Sequence, residues 1–95
     1  MMQDQVYRVD GTTQTVSVSG TSAAITNAVG TQTRAIRVAV TTDCHIKVAT
    51  TPVATTSDPF IPSGTVEYFR ITPGQKVAFI QNSASGTAYV TECHR

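Results

Sequence analysis

Apolar and polar residues alternate with period two along most of the chain, the pattern of strands buried on one face. Thr13 to Val18 alternates cleanly, with Val16 and Val18 on one face and Thr13, Thr15 and Ser17 on the other. Gly20 breaks that run, and a weaker one, Thr21 to Ile25, ends at Asn27 and Gly30. Arg34 to Val40 carries the strongest signal: Ile36, Val38 and Val40 share one face, and Ala35, Arg37 and Ala39 the other. Cys44 to Val48 repeats it, directing Cys44, Ile46 and Val48 inward and His45 and Lys47 outward. Upstream, Val6 to Val9 is a short candidate, either an edge strand or part of an ordered arm formed by residues 1–10.

Residues 50–63 form a long connection in which three prolines forbid a central strand, because proline has no ladder donor. Three strands then follow quickly: Thr65 to Ile71, Lys76 to Gln81 and Thr87 to Glu92. Thr72-Pro73-Gly74-Gln75 between the first two is a strong turn, with proline at i+1 and glycine free to take φ > 0 at i+2. Ser83-Ala84-Ser85-Gly86 joins the second pair, so the three strands read as an antiparallel meander. Within Thr65 to Ile71 the alternation switches parity, from Val66 and Tyr68 to Phe69 and Ile71, as in a strand buried on both faces or carrying a β-bulge. Seven to eight short strands at this spacing predict an all-β fold. The expected form is an antiparallel β-sandwich, jelly-roll or Ig-like, with residues 1–95 as one domain.

Composition reinforces this reading. Among 95 residues there are 17 Thr, 12 Val and 7 Ser, but no Leu and no Trp, so residues at home on a pleated surface replace the usual helix formers. A compact chain of this size has a radius of gyration of roughly 12–13 Å, too small to wall off a deep substrate cavity alone. A formal net charge of +1 supplies little counterion-release affinity, so no nucleic-acid partner is expected. Met1-Met2-Gln3-Asp4-Gln5 has neither a basic nor an apolar leader region, and Val77-Ala78-Phe79-Ile80 falls far short of a membrane span. Neither a secretory signal nor a membrane partner is expected, and synthesis in the cytoplasm is the simple reading.

Candidate chemistry is sparse. The dipeptides Cys44-His45 and Cys93-His94 hold the ligand types of a structural zinc site. Neighbours on a strand point to opposite faces, however, and the two-to-four-residue spacing of zinc pairs is missing. The two cysteines are either thiols packed as small apolar groups or a Cys44–Cys93 disulfide, whose loop of roughly 50 residues would contribute ~4 kcal/mol. Asp43 and His45 can share a strand face, but Cys44 then points away from them. There is no nucleophile elbow, phosphate loop or clustered calcium-type carboxylate set. No catalytic residue, metal or cofactor is therefore expected. The segment around Asp58, Phe60 and Ile61 is the best candidate interface, since flanking prolines reduce the entropy lost on docking; alternatively its side chains fold back to cap the sandwich. Tyr68 and Tyr89 fit core or interface rims, with hydroxyls at the wet edge.

From Cys44 to Glu92 the chain resembles small virion structural proteins of tailed bacteriophages. The resemblance lies in the loop Asp58-Pro59-Phe60-Ile61-Pro62-Ser63-Gly64, the aromatic strand to Ile71 and the Pro73-Gly74 turn. It continues in the apolar strand Val77 to Ile80 and the closing Val90-Thr91-Glu92. It implies a β-sandwich subunit that coats or fastens the capsid as a decoration or cement protein, or that sits in tail, neck or baseplate parts. It implies major capsid protein or other virion subunits as partners, with further copies of the chain alongside, and a final location in the virion after assembly in the host cytoplasm. It carries over no catalytic residues. A carbohydrate-binding sandwich is the other role the sequence leaves open.

Overall fold

A computed structural model describes residues 11–93. The Val6 to Val9 candidate, the arm proposed for residues 1–10, and His94 lie outside the described residues. Eight strands form: β1 (Thr13–Val18), β2 (Ala23–Ala24), β3 (Ala35–Val40), β4 (Cys44–Ala49), β5 (Phe60–Ile61), β6 (Val66–Arg70), β7 (Lys76–Gln81) and β8 (Gly86–Cys93). They build two four-stranded antiparallel sheets, ordered β1-β8-β3-β6 and β2-β7-β4-β5.

Every connection except β4 to β5 passes from one sheet to the other. This is the strand order of a jelly roll, which resolves the two sandwich forms the sequence allowed. It also corrects the meander. β6, β7 and β8 are consecutive, yet β6 pairs with β3, β7 with β4 and β2, and β8 with β1 and β3. The Pro73-Gly74 turn does form: Gln75 N–H donates to Thr72 O at 3.0 Å, and Gly74 has φ of 90°. Instead of a hairpin, it makes a corner between sheets, clipped to the 25–30 segment by Gly74 N–H to Val29 O and Val29 N–H to Gln75 O.

The inner faces meet in one apolar core. Val16, Val18, Ile36, Val38, Val40 and Val90 come from the first sheet, and Cys44, Ile46, Val77 and Phe79 from the second. With no leucine or tryptophan in the chain, Phe79 is the largest fully buried side chain. The radius of gyration, 12.5 Å, agrees with the value expected from length.

β6 departs from both explanations offered for its parity switch. Its register with β3 runs unbroken from Ala35↔Arg70 to Ala39↔Val66, so there is no bulge, and Val66 and Tyr68 are exposed. It is an edge strand with an apolar outer side. Glu67 lies on the inward parity beside Val38, a charge placement that discourages edge-to-edge pairing.

Candidate interaction faces

The two sheets present different exteriors. Across the second, the 50–59 connection folds back over the strands: Ala54 N–H donates to the Ser22 hydroxyl at 2.8 Å, and Pro52 and Ala54 are buried. Beneath that cover, Ala78 is fully buried although it lies on the outward side of β7, opposite Lys47. The connection therefore covers a sheet face.

His45 anchors this cover. It points outward from β4, as its parity requires, yet is only 7% exposed. Its Nδ1 lies 2.8 Å from the Asp58 carbonyl, so Nδ1–H is the donor. Its Nε2 lies 3.0 Å from Asn82 Oδ1, a hydrogen bond when the ring carries both protons, or with the amide turned over when it is neutral. Phe60 tilts against the imidazole with ring centroids 5.4 Å apart.

The candidate interface of Asp58, Phe60 and Ile61 divides. Ile61 is 1% exposed and belongs to the core, paired with Cys44 in β5. Asp58 shapes its own turn: its carboxylate accepts from Thr55 N–H at 2.8 Å and lies 3.9 Å from Lys47 Nζ. Phe60 alone stays at the surface, 48% exposed. Two residues of edge strand thus fit into the proline-rich connection without violating the bar on a central strand.

The cysteines are not joined to each other. Cys44 opens β4 just beyond the Val40 end of β3, whereas Cys93 pairs with Ala35 at the other end. The length of β3, roughly 17–20 Å, separates these ends, against a Cα limit of about 7 Å for a disulfide. Burial, helped by the charge of Asp43, pushes the Cys44 thiol up to about 11. Asp43 and His45 form no dyad, because Asp43 accepts from Ser63 N–H at 2.7 Å while His45 faces Asp58 and Asn82. Among the described residues, no group of three or more His, Cys, Asp or Glu is placed to hold a metal ion. Among the described residues, no helix is long and apolar enough to cross a membrane.

The first sheet is different. Its outer face carries Thr13, Thr15 and Ser17 from β1, Thr87, Tyr89 and Thr91 from β8, Arg37 and Ala39 from β3, and Val66, Tyr68 and Arg70 from β6. Register aligns Thr15, Tyr89, Ala39 and Val66 in one row and Thr13, Thr91, Arg37 and Tyr68 in the next. Tyr68, Val66 and Tyr89 are 48%, 45% and 43% exposed. The face closes at one end, where Ala35 and Cys93 are buried. Sequence reasoning named both tyrosines but not their placement on one face, which depends on β8 and β6 flanking β3.

Comparisons of the chain with known protein families, with curated proteins and with solved structures found no match.

Proposed function

We propose that the chain is a non-enzymatic structural protein of a bacteriophage virion, a decoration or cement subunit that binds the head shell and stabilises it. The observation that supports this best is the outer face of the β1-β8-β3-β6 sheet. It offers exposed Tyr68, Tyr89 and Val66 together with Arg37 and Arg70, and tyrosine and arginine are enriched at protein interfaces. The jelly roll recurs in viral capsid proteins, which supports the reading at the level of fold analogy only. A subunit of this kind acts by area, each copy bridging neighbouring shell subunits. Its partners are major capsid protein or other virion subunits, with copies of the chain side by side, and neither nucleic acid nor membrane.

Quantitative proteomics and cryo-electron microscopy of purified virions test this. The expected result is many copies on the head. A few copies at the tail would move the role to neck, tail or baseplate, and absence from virions would overturn it.

A second reading is favoured by one feature: Tyr68 and Tyr89 present planar rings on a flat sheet, as carbohydrate-binding sandwiches do. Glycan-array binding lost in Tyr89→Ala but kept in Phe60→Ala would establish it.

A further inference from the structure

We infer that the outer face of the β1-β8-β3-β6 sheet docks an acidic protein surface, and does not pair with the same face of a second copy of this chain. The inference rests on the virion reading above and names the face and the chemistry of the contact.

Among the described residues, charge on this face is of one sign. Arg37 lies opposite Tyr68, and Arg70 opposite Ala35, so the two arginines are diagonal neighbours on adjacent strands, roughly 7–8 Å apart. Like charges at that spacing repel, and none of the described carboxylates shares the face. Glu67 and Glu92 lie on the inward parity, and Glu92 accepts from Gly30 N–H and the Thr33 hydroxyl. Asp58 belongs to the cover of the other sheet, and Asp43 binds Ser63. Among the described residues, neither Arg37 nor Arg70 makes an ion pair or side-chain hydrogen bond. Both described lysines, Lys47 and Lys76, belong to the other sheet.

That distribution selects the occupant. A guanidinium takes a carboxylate through two parallel hydrogen bonds, and arginine and tyrosine without lysine or acid is the make-up of an interface centre. A two-fold contact between copies would bring four guanidiniums together with none of the described carboxylates between them. A neutral glycan would leave both charges unpaired. Two arginines on a chain of net charge +1 release too few counterions to hold nucleic acid.

The test compares free protein with protein on purified virions, using amide hydrogen exchange, together with rebinding of purified protein to particles depleted of it. Protection is expected at 37–39, 66–70 and 87–91. Arg37→Ala/Arg70→Ala should reduce bound copies roughly tenfold or more, the Lys variant of both positions should recover part of this, and added salt should weaken binding. Lys47→Ala/Lys76→Ala should bind as wild type, and melting temperatures check that each variant folds. Wild-type binding by the double alanine variant, or protection confined to the 45–60 side, overturns the inference while the virion reading stands. Absence from virions overturns both. Alginate binding that needs the two arginines, with particle binding indifferent to them, overturns it in favour of an acidic glycan.

Discussion

Cys44 illustrates how a single position is governed by its surroundings. Its thiol is fully buried in the core, with an ionisation raised from 9.0 to about 11. As pH rises, the unfolded chain gives up this proton first. The contribution to stability is thus whole below about pH 9, declines up to about pH 11 and then levels off. Thermal melts across that range should show a decline in wild type that is reduced in Cys44→Ala, and thiol reagents at neutral pH should modify Cys44 only on unfolding. Glu92 is the corresponding polar case. Its carboxylate accepts from the buried Thr33 hydroxyl and from the exposed Gly30 N–H, so Glu92→Ala orphans one buried donor and should cost about 1–3 kcal/mol by urea denaturation. Phe79→Ala, emptying the middle of the core, should cost about 3–5 kcal/mol.

At the scale of elements, local pattern placed strands better than it paired them. Thr13–Val18 and Lys76–Gln81 form with the expected bounds, because alternation and the glycine and proline stops are properties of neighbours in sequence. Pairing is not local, and a short turn such as Thr72 to Gln75 serves a hairpin or a sheet-to-sheet corner equally well. The outward apolar side of β6 is visible in Val66 and Tyr68, but alternation alone does not reveal an edge and suggests burial on both faces or a bulge instead. His45 was placed on the correct face, yet its burial comes from a connection that returns from ten or more residues away. In His45→Ala, the Asp58 carbonyl and Asn82 lose their partner and Phe60 its ring contact. Faster hydrogen exchange is expected at Ile46 and Asp58, whose amides bond to Pro59 and Thr55, with β1 and β8 unchanged.

For the whole molecule, topology sets behaviour. The first and last described strands are partners, Thr13 facing Thr91, and β8 sits between β1 and β3. Pairing such distant segments is entropically slow, so refolding should take milliseconds to seconds in stopped-flow experiments. Deleting residues 86–95 removes a central strand, and circular dichroism should then report loss of the entire fold and not of one edge.

The draped 50–59 connection has a geometric consequence. By upholstering one broad side of the molecule it makes the two broad sides unlike: the other carries the paired arginines, while the draped side shows Val53 and Phe60. In the proposed docking, two arginine-bearing sides repel each other, so copies do not stack like against like. A coat built as proposed turns its arginine-bearing side to the shell and its draped side, with Val53 and Phe60, to the surroundings.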